Sequence, residues 1–195
     1  MNFQRGFKSW AERTSQNFRR DFGLQIHSPL DPSLLATHLD VRLCTPKEIP
    51  GLPQTVLDQL LKHDPSGWSA VSVYQGDGGL IIYNPAHSKG RQASDIMHEL
   101  AHLVLDHKPA TVIMSQDGTL VMRSYDQKQE DEANWLAWCL LLPRDALTQC
   151  ARRRLSIDAI SEQYGVSKKL VTFRLHVTGV QAQIRAYERL RNRSE

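Results

Sequence analysis

No run of apolar residues in this 195-residue chain approaches the roughly 18 needed to cross a bilayer, so no membrane span is expected. The opening stretch, MNFQRGFKSWAERTSQNFRRDFG, has scattered charge and neither an apolar signal core nor a small-residue cleavage site, so a cytoplasmic protein is the expectation. Cysteine is scarce. The three present, Cys44, Cys139 and Cys150, are odd in number and lack C-x-x-C spacing, which argues against a disulfide framework and a thiolate metal site and leaves buried or half-buried free thiols. Internal repeats and low-complexity tracts are missing too. The length suits one well-buried domain with a small appendage rather than two full domains.

The chain is otherwise ordinary in composition, 41% hydrophobic and 23% charged. Its net charge of +3 hides an asymmetry. Residues 1–143 carry 13 Lys/Arg against 16 Asp/Glu, whereas residues 144–195 carry 11 against 5, so a basic segment follows a mildly acidic body.

Apolar side chains at Phe3, Phe7, Trp10, Phe18 and Phe22 predict an amphipathic helix over about 3–22. DPSLLATHLDVRL opens on an Asp-Pro helix entry and runs into a short strand, and a short helix is expected from about Gln54 to Lys62. WSAVSVYQ and GGLIIYNP, joined by GDG, read as a hairpin. ATVIM and TLVMRSY read as a second one. QEDEANWLAWCLLLP is a strong helix that Pro143 ends. Helices, strand pairs and helices in that order make an α+β pattern.

Between the two hairpins lies SDIMHELAHLVLDH, residues 94–107, which contains H-E-x-x-H. On a helix, His98 and His102 lie one turn apart on one face, so both imidazoles can hold one zinc while Glu99 stands beside it to take a proton from water. At this chain's His and Glu frequencies the pattern arises by chance in roughly one such sequence in 80. The apolar flanks Ile96, Met97, Leu100, Ala101, Leu103 and Val104 bury the helix, where an unpaired glutamate is costly.

Catalytic zinc sites usually take three protein ligands and keep one position open. A histidine-ligand extension of the motif needs glycine at 105 and histidine at 108, but Leu105 and Lys108 stand there. His107 is out of register and reads as a solvated residue near the helix C-terminus. The next helix offers Glu130 and Glu132. On a wheel with Glu130 at zero, Ala133, Asn134, Ala137 and Leu141 all fall within about 60° of it, whereas Glu132 falls at about 200° beside Trp135 and Cys139. Glu130 is therefore the favoured third ligand over Glu132, with Asn134 placed to hold a histidine N–H behind the metal. Two imidazoles and one carboxylate accept Mn or Fe as well as Zn.

HELAH at 98–102, the preceding IIYNP and RQASDIM, and EDEANWLAWCLLLP together resemble the ImmA/IrrE family of metallopeptidases, whose second motif has the form E-x-E-A-N-x-F-A-x-x-L-L-x-P. The likeness runs over about residues 31–180. Leu136 and Trp138 depart from the usual residues and bear on pocket shape. The resemblance implies a gluzincin-like zinc fold and limited proteolysis of a helix-turn-helix repressor, in a stress-response pair or on a mobile element.

Substrate backbone in zinc peptidases of this kind pairs with an edge strand beside the active-site helix. GGLIIYNP is the candidate, although an internal strand reads the same. Tyr83, Arg123 and Tyr125 are conceivable oxyanion donors, and the pattern does not choose among them.

SIDAISEQYGVSKKLVTFRLHVTGV, residues 156–180, reads as a helix-turn-helix capped by Ser156 and Ser167 with Gly165 at the turn. Lys168 and Lys169 would meet DNA or a partner, with Arg152, Arg153 and Arg154 for phosphates. Arg174, however, falls where such a helix points an apolar residue inward, so a basic scaffold or repressor dock is favoured over DNA binding.

The expected organisation is an N-terminal helix over 1–30, a zincin-like metallopeptidase core over 31–143 and a basic helix-turn-helix-like segment over 144–195. The expected activity is a zinc endopeptidase acting on a protein substrate. The alternatives are a DNA-binding regulator with structural or sensory zinc, or a toxin-like accessory protein of a two-gene module.

Overall fold

The computed structural model describes residues 3–75, 78–107, 112–114, 121–123 and 126–184. The aromatic stripe near the N-terminus belongs to helix α1 (Phe7–Asp21). Phe3 stacks on Phe7 at 5.1 Å and Phe18 on Phe22 at 6.1 Å between ring centroids, but the fully buried line of the helix is Ala11, Ser15 and Arg19. The sequence pattern pointed to the aromatics. The structure uses them as flanks, because what α1 covers is polar, as shown below.

Asp31 caps α2 (Pro32–His38), accepting from Ser33 N–H at 2.8 Å, and Pro32 stands in the first turn, where its missing N–H costs nothing. Strand β1 (Val41–Cys44) follows. Helix α3 (Gln54–Asp58) continues into a wider π-type turn over Gln59–His63, close to the span expected from sequence. Strands β2 (Ala70–Gln75) and β3 (Gly78–Tyr83) form the antiparallel hairpin, with Ala70 opposite Tyr83. β1 then pairs parallel to β3, Val41 opposite Gly79, so the sheet order is β1-β3-β2. This corrects the candidate edge: GGLIIYNP is the central strand, with Ile81 fully buried, and β1 and β2 are the edges among the described residues, β2 being one of the two strands that α4 packs against. A parallel partner supplied from upstream leaves no trace in the strand's own residues.

The histidine motif lies on α4 (Lys89–Val104), which packs against β2 and β3. Short strands β4 (Val112–Met114) and β5 (Val121–Arg123) pair antiparallel, Val112 opposite Arg123. The ligand helix α5 (Gln127–Leu141) packs on α4 along one side and on α1 along another, so the layers run sheet, α4, α5, α1. Beyond α5 the described residues form α6 (Arg144–Arg152), α7 (Ile157–Tyr164) and α8 (Lys168–Thr178), with helical backbone again over 180–184. Their caps follow the sequence reading. Ser156 accepts from Ala159 N–H, Ser167 from Leu170 N–H, and Gly165 takes the left-handed conformation (φ 61°) that the turn requires. Among the described residues no helix is long and apolar enough to cross a membrane. The three cysteines are free and buried.

The last carbonyls of a buried helix have neither an intrahelical partner nor water. At the end of α5 these groups are satisfied by the rest of the chain. Ser15 Oγ donates to Cys139 O at 2.7 Å, Arg19 Nη2 to Leu140 O at 2.7 Å, and Arg174 Nε to Leu142 O at 3.0 Å. Arg19 also donates to Ser15 Oγ at 2.7 Å and to Ser28 O at 2.7 Å. Glu12 accepts from Arg174 at 2.5 Å and from the Arg144 N–H that opens α6 at 3.0 Å. Both arginine side chains are fully buried. Burial pushes Arg19 down to about 10, which leaves it charged at neutral pH.

Replacing Arg19 by Met keeps the bulk and strands the buried Leu140 carbonyl, at a cost of about 1–3 kcal/mol. Arg19→Met is expected to lower the denaturant midpoint strongly. Arg20→Met, one residue away and exposed, should stay within about 0.5 kcal/mol of the parent. Equal effects of the two would show that the buried cap contributes nothing.

Candidate metal centre

α4 presents His98, Glu99 and His102, while α5 presents Glu130 from its first turn. The helices can approach closely because Ala101, Ala133 and Ala137 are fully buried. The two imidazoles face each other with Nε2 atoms 3.1 Å apart. Glu130 meets both, Oε2 lying 3.2 Å from His98 Nε2 and Oε1 3.5 Å from His102 Nε2. One donor atom from each of the three residues lies within 4.8 Å of the others.

The donor set passes a simple geometric test. Ligand atoms about 2.0–2.1 Å from a tetrahedral zinc lie about 3.3 Å from one another. The His98 Nε2–His102 Nε2 and His98 Nε2–Glu130 Oε2 separations, 3.1 and 3.2 Å, come close to that edge length, while the 3.5 Å contact to His102 is made by the other Glu130 oxygen. Burial, reinforced by His98 and His107, pushes His102 down to about 4, so the imidazole is neutral at neutral pH, the form that binds a metal.

Glu99 lines the same cleft of about 340 Å³, together with Ser69, Ala70, His98, Glu130 and Asn134. Ser72, on the edge strand β2, donates to Glu99 Oε2 at 2.5 Å. Burial raises the Glu99 carboxyl above its ordinary range, while Ser72 and His98 pull it back. Nothing in the sequence pointed to Ser72, because it depends on which strand is the edge.

Two other expectations, those for Asn134 and His107, meet a different arrangement, while Glu132 is not among the gathered donors. Asn134 lines the cleft, but its amide donates back to Glu130 O at 2.8 Å, and no hydrogen bond joins it to a histidine among the described residues. Glu132 points away from the histidine pair, with Oε2 3.5 Å from His107 Nε2 and Oε1 3.8 Å from Lys128 Nζ. His107 is not solvated: its side chain is 8% exposed and its Nδ1 lies 2.9 Å from His102 Nδ1. The reason is the helix end. Asp106 takes a left-handed conformation (φ 52°), its N–H bonds Leu103 O at 2.9 Å, and the His107 N–H returns to His102 O at 3.0 Å. That is a Schellman cap with Asp in the place of Gly, and it folds the chain back under the helix. A straight-helix count cannot see the reversal.

Lys168 and Lys169 are exposed at the start of α8, and Lys168 Nζ pairs with Asp158 at 2.8 Å. Arg174, by contrast, is buried. Tyr83 is half-buried on the central strand, while Tyr125 and the Arg123 side chain lie outside the described residues.

Two imidazoles one helical turn apart, a carboxylate from a second helix and a glutamate beside them define a centre of the metallopeptidase type. The chain belongs to the Peptidase_M78 family, the IrrE N-terminal-like domain, whose family model matches residues 58–176. Among solved structures it is similar to a Mycobacterium tuberculosis transcriptional regulator at 17% identity and a TM-score of 0.53. That match covers 89% of this chain and 47% of the regulator, so the chain spans about half its length, and the likeness is one of fold. No curated protein matches the chain.

Metal analysis of purified wild type and His98→Ala checks the centre. The wild type should hold about one divalent metal per chain, and the variant should lose affinity by at least about 10–100-fold. Equal metal content in both would place any bound metal elsewhere.

Proposed function

We propose that the chain is a zinc-dependent endopeptidase that relieves repression by cleaving a helix-turn-helix repressor. The observation that carries this reading is the convergence of His98, His102 and Glu130 beside a cleft lined by His98, Glu99 and Glu130. The family match supports peptidase chemistry, and the likeness to ImmA/IrrE proteins supports the choice of substrate. The structural neighbour, named a transcriptional regulator, is in keeping with a regulatory setting.

His98, His102 and Glu130 would hold the zinc, which would supply a Lewis acid when bound. Glu99 takes the proton of the attacking water and returns it to the leaving amine, and a carboxyl raised by burial suits both transfers. Ser72 occupies one Glu99 oxygen and so fixes the direction of the other. β2 pairs only with β3 among the described residues, and Ser69 and Ala70, at its start, line the cleft. An extended substrate segment added along that edge passes directly over Glu99.

Glu99→Gln separates binding from chemistry. Zinc content should be unchanged, while cleavage of a helix-turn-helix repressor encoded beside the gene should fall by about 10²–10⁴-fold. Undiminished cleavage would remove Glu99 from the mechanism.

A second reading, a DNA-binding regulator with structural or sensory zinc, draws on α7 and α8, whose caps and turn have helix-turn-helix form. The Lys168–Asp158 pair and the buried Arg174 weaken it. The peptidase reading expects no mobility shift of DNA at low salt that Lys168→Ala with Lys169→Ala abolishes. A salt-dependent shift lost in that double variant would establish the second reading instead.

A further inference from the structure

His107 and Glu132, which the metal centre itself does not use, stand in line behind His102. His102 Nδ1 lies 2.9 Å from His107 Nδ1, and His107 Nε2 lies 3.5 Å from Glu132 Oε2. His107 and Glu132 are 8% and 14% exposed, so water competes little for these groups. We propose that His107 and Glu132 are positioning residues of the centre, forming a buried relay that fixes the tautomer and the ring orientation of His102 as a metal ligand. The inference rests on the metal-centre reading above.

Proton bookkeeping selects one arrangement. His102 turns Nε2 toward His98 and Glu130, and a nitrogen that binds a metal must offer a lone pair. Its proton therefore sits on Nδ1 and is donated to His107 Nδ1. His107 is then the neutral tautomer with its proton on Nε2, facing the Glu132 carboxylate. If His107 donated instead, His102 Nδ1 would have to accept, and the remaining proton would sit on Nε2, where it blocks the metal. A carboxylate at the far end favours the productive direction, as acids and carbonyls behind ligating histidines do elsewhere.

The two ligands are thereby unequal. His98 Nδ1 is buried with no hydrogen-bond partner among the described residues, whereas His102 Nδ1 meets His107, so only His102 has a directed contact behind its ligating nitrogen. The Schellman turn at Asp106 is what brings the relay into place.

The test uses the full chain, zinc dissociation constants by chelator competition and the absorption spectrum of the Co(II)-loaded protein, with thermal unfolding as the control for folding. His107→Phe keeps the ring and removes the acceptor, and should weaken zinc about 10–100-fold with an altered Co(II) spectrum. His107→Asn places an amide oxygen near the lost Nδ1 and should recover most of the affinity and the spectrum. Glu132→Ala should weaken zinc severalfold, and Glu132→Gln, which keeps an acceptor oxygen, by less; this pair decides the matter if His107→Phe does not fold. Wild-type affinity in His107→Phe, equal weakening by Phe and Asn, or Glu132→Ala and Glu132→Gln that bind zinc as the wild type does, would each overturn the relay while leaving the centre standing. A wild-type chain that binds no zinc overturns the centre, and the relay with it.

Discussion

The end of α5 is the constraint on which the rest depends. A helix that passes through the core must finish somewhere, and this one finishes with the carbonyls of Cys139, Leu140 and Leu142 out of reach of water. Two buried guanidinium groups, one from α1 and one from α8, are brought to them. Taking two cations out of water is expensive, and the cost is offset here by carbonyl acceptors, by Glu12 and by the negative end of the helix dipole. Such an arrangement adds little net stability over an apolar one, but it tolerates no half-measures: removing one partner leaves a charge or a carbonyl stranded. Its effect is to fix α5 along its axis. A slip of one residue moves a helix by about 1.5 Å, enough to break the contacts that Glu130, in the first turn of the same helix, makes with His98 and His102 at 3.2 and 3.5 Å.

α4 is fixed by different means. A side-chain carbon added to Gly90 would lie 3.2 Å from Gly165 O, so the start of α4 abuts the turn between α7 and α8. Asn84 reaches Pro65 O and Trp68 O, and Gln92 reaches Pro85 O and His87 O, tying the β3–α4 loop to the start of the helix. The histidines sit in the latter half of α4 and the glutamate in the first turn of α5, so each ligand helix is braced away from the site it serves. The site itself keeps a cleft.

How much of this was legible follows from which contacts are local. H-E-x-x-H, the caps at Ser156 and Ser167 and the left-handed Gly165 are set by neighbours in sequence, and the sequence shows them. Glu130 was separable from Glu132 because small residues share its face. Beyond its first turns α5 has almost no solvated side: Ala133, Trp135, Leu136, Ala137, Cys139, Leu140 and Leu141 are all buried. What could not be read depends on distant partners or on a reversal of the chain. β3 becomes central only when β1 arrives from upstream, Arg19 and Arg174 are inward only because α5 ends where it does, and His107 turns under its helix only because Asp106 accepts a positive φ.

Arg174 also bears on what the basic segment does. In a helix-turn-helix the inner face of the second helix is apolar because it has only the first helix to pack against. Here α8 turns Leu170, Val171 and Leu175 inward as such a helix would, but places a buried cation among them. That cation serves α5, and its partner Glu12 comes from α1. The shape of a DNA reader is therefore built into the support of the ligand helix, and α8 cannot be lifted away without exposing the α5 terminus. The exposed Lys168 and Lys169 ride on an element whose position is tied to the metal centre, so a macromolecule bound at that face would be held in a fixed relation to the cleft.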